Sequence, residues 1–304
     1  MATPVEVEIE GRHLSLSNLD KVLYPDAGFT KADVIDYYRR IAPVLLPHLR
    51  DRVPTLVRAP DGPSGQVFFE KRCPGHRPKW VKTAVVGKYG SHTGFEGCLV
   101  DSLPALVWVA NLAALELHTY QATVDDLSRP TALVIDLDPG EPATIADCAR
   151  VALDLRDTFK TLGLETVVKT SGSKGLHLSV PLNTPAVTDD ATKSFALAVG
   201  QLHESRDPKR VTTVMAKEHR RGRVFVDWSQ NDRAKTTVAA YSLRIRPRPL
   251  VSTPLEWAEV EAAHESGDGR GLTFEAPAVL QRVAELGDLY ERNLTLQQEL
   301  PALS

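Results

Sequence analysis

The 304 residues are 42% hydrophobic and 25% charged with a formal net charge of −3, the balance of an ordinary globular chain. No apolar run reaches the ~18 residues of a membrane helix, and the acidic start MATPVEVEIEG lacks the apolar core of a secretory signal. Cys73, Cys98 and Cys148 are far apart with no CxxC, which argues for a reducing cytoplasm and against a disulfide frame or a zinc site.

The charge is unevenly spread. Residues 206–248 hold twelve Lys/Arg against four Asp/Glu, and residues 253–304 hold three against ten. The basic segment suits a polyanion, and suits equally a solvated face with counter-charges folded beside it.

In chain order, Thr30-Lys31-Ala32-Asp33 has capping-box form and opens a helix through Val34, Tyr38, Ile41 and Leu45. Asp101-Ser102-Leu103-Pro104 predicts a second helix over ALVWVANLAALEL, apolar nearly all round and therefore buried. Residues 131–137 read as a strand. Ile145, Cys148, Ala152, Leu155, Phe159 and Leu162 recur at steps of three and four before Gly163, the pattern of an amphipathic helix with a glycine stop. Strands at 165–169 and 176–180, a helix at 192–204 and a strand at 223–228 follow. Prolines make the stretch after Arg246 a loop, and helical segments lie around Trp257 and at 279–293. This mixed order predicts an α+β fold with largely antiparallel sheet. One domain is expected over residues 1–304, with a core at about 13–250 and the acidic segment 253–304 packed on it.

Four stretches carry candidate chemistry. In ALVIDLDPGE, residues 132–141, Asp136 and Asp138 share a strand face opposite Leu133, Ile135 and Leu137. Two carboxylates side by side repel, and a hard divalent cation resolves that. A turn cap beside one exposed Asp explains them as well, and a haloacid-dehalogenase-type phosphatase also begins with such a D-x-D. Thr170-Ser171-Gly172-Ser173-Lys174-Gly175-Leu176-His177 combines glycines, hydroxyls and a Lys in a possible anion-binding concavity, or is a plain hairpin loop. The P-loop spacing is absent. Asp227 ends the apolar run Val224-Phe225-Val226, as a third metal carboxylate or as a turn-bonding strand end. The basic run, with Lys217, Arg220, Arg221, Arg223, Lys235, Arg244, Arg246 and Arg248, offers phosphate grips, and Phe68, Phe69 and Trp228 offer stacking surfaces.

Seven stretches in one order carry a resemblance: DKVLYP (20–25), FFEK (68–71), ALELH (114–118), IDLDPGE (135–141), TSGSKGLHL (170–178), VFVDWSQN (224–231) and YSLR (241–244). The chain resembles the polymerase domain of bacterial ligase D, in the archaeo-eukaryotic primase superfamily. The resemblance implies a primase-type catalytic core with two mainly antiparallel β-sheets flanked by helices. It implies that Asp136, Asp138 and Asp227 bind two Mn²⁺ or Mg²⁺ ions. Ser171, Lys174 and His177 would hold the incoming NTP or dNTP, with Arg220 and Arg244 nearby and His118 lining the pocket. Phe69 and Phe68 would stack on bases. Lys21, with Asn18 and Lys31, would recognise a 5′-phosphate, and Arg58 would add to the DNA or nucleotide surface.

The implied activity is template-directed nucleotidyl transfer to primer 3′ ends at short gaps or breaks, with the family's preference for Mn²⁺ and ribonucleotides. The alternatives are a dedicated end-joining polymerase working with a separate ligase and Ku, and, remotely, an inactive DNA-binding protein. The setting is a bacterial cytoplasm, at the nucleoid. Two departures bear on this. Ala240 stands where the family commonly has proline, which leaves the backbone before Arg244 less fixed. No K-x-D-G nucleotidyl-lysine motif is present, so the chain reads as a stand-alone relative.

Overall fold

In the computed structural model, which describes residues 3–89 and 92–302, the alternation of ALVIDLDP becomes strand Ala132–Pro139. Leu133, Ile135 and Leu137 are wholly buried on one face. The strand lies inside a six-stranded sheet ordered Val211–Thr212, Val224–Asp227, Ala132–Pro139, Leu176–Pro181, Val167–Thr170, Pro254–Leu255. All pairings are antiparallel except that of Val211–Thr212 with Val224–Asp227.

The apolar face of this sheet is covered by helices Ile145–Thr161 and Asp189–Arg206, whose Cys148, Leu155, Phe159, Phe195 and Val199 join Leu133, Ile135, Leu178 and Val226 in one core. Each such large side chain contributes ~1.5–3 kcal/mol by leaving water. The first helix starts on a capping box between Thr144 and Asp147 and stops before Gly163, whose φ of 75° lies in the left-handed region that favours glycine.

These elements belong to one of two compact units, made of Gln121–Thr237, Thr253–Phe274 and the chain from Asp288 on. The other comprises the chain up to Tyr120, Val238–Ser252 and Glu275–Gly287. In it the Thr30/Asp33 capping box opens helix Lys31–Leu49, which buries Val34, Tyr38, Ile41 and Leu45 completely. Strand Thr55–Arg58 pairs antiparallel with Ala114–Thr119 on one side and with Phe68–Glu70 on the other. The fold is therefore α+β with mainly antiparallel sheets, as the sequence predicts.

Three expectations are corrected. The buried helix over residues 105–117 ends at Asn111, and Ala114–Thr119 is a strand. A run apolar on every side carries no period to separate buried helix from buried strand, and Ala113, at φ 56°, breaks the helix between them. The helix at 279–293 is two, Ala276–Leu286 and Arg292–Thr295, separated at Gly287 with φ 71°. Cys73 and Cys98, 25 apart in sequence, form a disulfide with Cα atoms 4.8 Å apart, since Cys73 N bonds to Glu96 O and sits beside the strand that ends at Cys98. Among the described residues no helix is long and apolar enough to cross a membrane.

The Asp136 strand has a polar extension on its Asp227 side. Asn231 is buried; its Oδ1 accepts from Val134 N at 2.9 Å and its Nδ2 donates to Val134 O at 2.7 Å, continuing the sheet where strand Val224–Asp227 has ended. Asn231→Ala leaves both backbone groups unsatisfied and is expected to cost ~2–4 kcal/mol, read from the midpoint of urea unfolding. A change below ~0.5 kcal/mol would contradict this bridging role.

Candidate active site

Register places the charged residues before any side-chain contact is considered. Lys169 is opposite His177, His177 opposite Asp136, and Asp136 opposite Asp227, so four neighbouring strands present one continuous row on one face. His177 Nε2 lies 3.2 Å from Asp136 Oδ1, and buried Lys169 Nζ lies 3.1 Å from His177 Nδ1. An ammonium only donates, so Nδ1 accepts and the proton sits on Nε2, the nitrogen nearer Asp136. Lys169 was missed in the sequence. Its spacing of eight residues from His177 across a hairpin was the available signal.

Asp138 sits two residues along, opposite Phe225. The Arg220 guanidinium stacks 3.6 Å from the Phe225 ring centroid and donates to Met215 O, which holds it on the Asp138 side of the sheet. Glycine is required at both flanks. A Cβ on Gly140 would collide with Arg220 O, and one on Gly175 with Leu137 O.

Asp227 takes part in a turn as well as in the row. Its Oδ1 accepts from Ser229 N at 2.9 Å and Ser229 Oγ at 2.5 Å, and its Oδ2 from Gln230 Nε2 at 2.9 Å. Oδ2 keeps a second lone pair. Among the described residues no three His, Cys, Asp or Glu side chains converge in ligating geometry. The donor set itself, three carboxylates from two adjacent strands on one face, has the hard-oxygen chemistry that suits Mg²⁺ or Mn²⁺.

The loop 171–175 is only partly the expected concavity. The N–H groups of Ser173 and Gly175 turn inward onto Ser171 Oγ, at 3.3 and 3.2 Å. Lys174 is exposed and ion-paired to Glu141 at 2.9 Å. The hydrogen bond and charge of Lys174 hold the Glu141 carboxyl below its usual range.

His118 and Arg244 belong to the other unit, where both meet a residue that sequence reasoning passed over. Glu116, only 7% exposed, receives His118 Nε2 at 2.6 Å on one oxygen, and Arg244 Nε at 3.1 Å and Ile245 N at 2.7 Å on the other. Burial pushes the Glu116 carboxyl up. The His118 bond, the Arg244 charge and the Ile245 N–H outweigh it and hold the group below its usual 4.5. Alternation in ALELH, with Glu116 and His118 on one strand face, was the missed signal. The backbone leading to Arg244 is anchored despite Ala240. Tyr241 N donates to Ser252 O at 2.7 Å, Tyr37 OH to Tyr241 O at 2.8 Å and Arg244 N to Leu250 O at 2.8 Å.

The same unit holds the expected DNA residues. Lys31 is buried and donates to Ser17 O at 2.6 Å. Burial, then the charges of Lys21 and Arg58, lower its pKa to about 8, so the three cations are mutually close. Lys21 pairs with Asp61, and Arg58 with Glu70 and Leu112 O. Asn18, at φ 54°, accepts from Lys21 N. Phe68 and Phe69 are 39% and 69% exposed, which excludes a core role for either. Trp228 is half-buried against the core. In the basic run the bland reading holds for part. Arg210 pairs with Asp207, Arg233 with Asp189 and Arg248 with Glu275 of the acidic segment. A cavity of about 840 Å³ between the two core helices, lined by Phe195, Leu202 and His203, contains none of the candidate residues.

The family model of the LigD primase-polymerase domain matches residues 30–290. The chain belongs to that family. It is 42% identical over 291 residues to the multifunctional non-homologous end joining DNA repair protein LigD of Mycobacterium tuberculosis, covering 92% of this chain and 37% of that protein. It is 34% identical to the multifunctional non-homologous end joining protein LigD of Pseudomonas aeruginosa, covering 81% and 29%. The chain thus spans only about a third of these relatives. Among solved structures it is similar to the polymerase domain of M. tuberculosis Ligase D in complex with DNA, with a TM-score of 0.85 and 40% identity over 94% of this chain and 99% of that one.

Glu116→Ala is expected to destabilise the protein by ~3–5 kcal/mol at pH 7, because His118 and Arg244 lose a buried counter-charge. The Glu116 pKa is lower folded than unfolded, so this stability exists above 4.5 and is lost as pH falls through the depressed value. Urea unfolding of wild type and variant should converge in acid. A pH-independent gap would refute the ionic role.

Proposed function

We propose that the chain is a template-directed nucleotidyltransferase that extends primer 3′ ends at DNA breaks and short gaps, in end-joining repair of the kind for which its relatives are named. The observation that carries this is the row Lys169–His177–Asp136–Asp227 with Asp138 beside it, on a chain of the LigD primase-polymerase family.

Asp136, Asp138 and Asp227 would hold two divalent cations, Mn²⁺ or Mg²⁺, whose chemistry when bound is to activate the primer hydroxyl and offset triphosphate charge. The chain's own groups bind and orient. His177 Nε2–H donates to a phosphate oxygen, with Lys169 holding the ring in the donating tautomer. Lys174 exchanges its exposed partner Glu141 for phosphate, which costs little because solvent screens an exposed pair. Ser171 shapes the loop through its two inward N–H bonds, and Arg220 is pre-aimed by Phe225. His118 and Arg244, held by Glu116, contact the nucleotide. Phe68 and Phe69 stack on bases.

Lys21, Lys31, Arg58 and Asn18 receive the 5′-phosphate across the gap. An anion there offsets the burial and the neighbouring charges that lower the Lys31 pKa. Ribonucleotide preference, and partnership with a Ku-type end binder and a ligase, belong to the same reading. A purely binding role is disfavoured, since it gives no use for a row of facing carboxylates.

Asp136→Ala and Asp138→Ala should each lower primer extension by at least ~10³-fold and leave gapped-DNA affinity near wild type. Extension at wild-type rate by either variant would defeat the proposal. Lys31 is cationic below about 8, so the preference for 5′-phosphate over 5′-hydroxyl gapped DNA should shrink as pH rises through and beyond that value. Lys21→Ala should reduce the same preference at pH 7. A preference constant from pH 7 to 10 would remove Lys31 from the phosphate site.

A further inference from the structure

The segment that follows Phe68 and Phe69 has no role in the scheme above. Residues 71–82 contain five Lys/Arg, and no acid occurs between Glu70 and Glu96. Lys82 pairs with Asp101 at 2.8 Å, and Arg77 reaches Glu96 at 3.4 Å. Lys71, Arg72 and Lys79 are exposed, and among the described residues none of them has an acidic partner in an ion pair. Like charges crowded on one exposed segment repel.

The segment is also held in shape. The Cys73–Cys98 disulfide joins it to strand His92–Cys98, and Cys73 N donates to Glu96 O at 2.9 Å. Turns close from Arg77 N to Pro74 O and from Val81 N to Pro78 O, at 3.1 and 3.0 Å. The Arg72 guanidinium rests over the Phe95 ring. Cations displayed on a fixed loop lose little freedom when they bind.

We propose that residues 71–82 form a backbone-binding track for the unpaired DNA strand, continuous with the Phe68–Phe69 platform. This rests on the reading that the unit grips DNA. Cations alone would suit any acidic surface. Two exposed phenylalanines immediately before them add flat faces for bases, and alternating stacking and phosphate contacts is how single strands are held. The track therefore favours single-stranded DNA over an acidic protein.

The test is the salt dependence of affinity for a gapped duplex with an unpaired template, by fluorescence anisotropy from 50 to 200 mM KCl. The variant Lys71→Gln/Arg72→Gln/Lys79→Gln removes three exposed charges and should keep the wild-type thermal midpoint. Each single-strand phosphate contact changes affinity ~2.6-fold over that fourfold salt range, so wild type should lose ~20-fold more affinity than the variant across it. Fully duplex DNA of equal length should show a smaller difference. If the variant keeps both the slope and the affinity of wild type, the track is free for another partner and the proposal falls. Lower affinity with an unchanged slope also overturns it, since the charges then act through the fold. Both outcomes leave the broader reading intact if Lys21→Ala still loses 5′-phosphate preference. Failure of wild type to bind gapped DNA overturns both.

Discussion

The structure depends on one arrangement of charge: two aspartates held opposite each other on adjacent strands. Like charges directly across a sheet are destabilising, so Asp136 and Asp227 persist in register only because their surroundings compensate. His177 and Lys169 extend the row with a proton donor and a cation, and Ser229 and Gln230 bond Asp227 from the other side. The opposite face of the same strands is mainly apolar and sealed by two helices, which gives the sheet the stability to hold that charge in place. The row is therefore a pre-organised electrostatic surface, already ordered before any ligand arrives.

The other unit solves a related problem with opposite sign. A single buried carboxylate, Glu116, collects an imidazole, a guanidinium and a backbone N–H, so that His118 and Arg244 are oriented by one acid. At Lys31 the balance runs the other way. Burial and two neighbouring cations lower its pKa. The acidic C-terminal segment acts chiefly as packing. Glu275 pairs with Arg248 and Glu261 with Arg156, while Asn293 meets the Ser179 hydroxyl on the strand that carries His177.

Legibility in the sequence tracked local signals. The capping box at Thr30, the stop at Gly163 and the alternation of ALVIDLDP were each readable, because their causes lie within a few residues. The run at 105–117 was misread because uniform burial erases the period that separates helix from strand. The disulfide was missed because pairing two cysteines needs to know that Cys73 lies beside the strand that ends at Cys98. The basic run was legible as charge but not as function, since pairing to Asp189 and Glu275 depends on distant segments.

By itself the sequence determined the family, the strand that carries Asp136 and Asp138, the face on which they lie, and the helices that cover the other face. Those follow from the two-residue and 3.6-residue repeats and from motifs of fixed order. Only the tertiary structure decided that Asp227 stands opposite Asp136 and that Glu116 reaches Arg244. Register between strands and contacts across more than a hundred residues are set by packing of the whole sheet, and no local pattern encodes them.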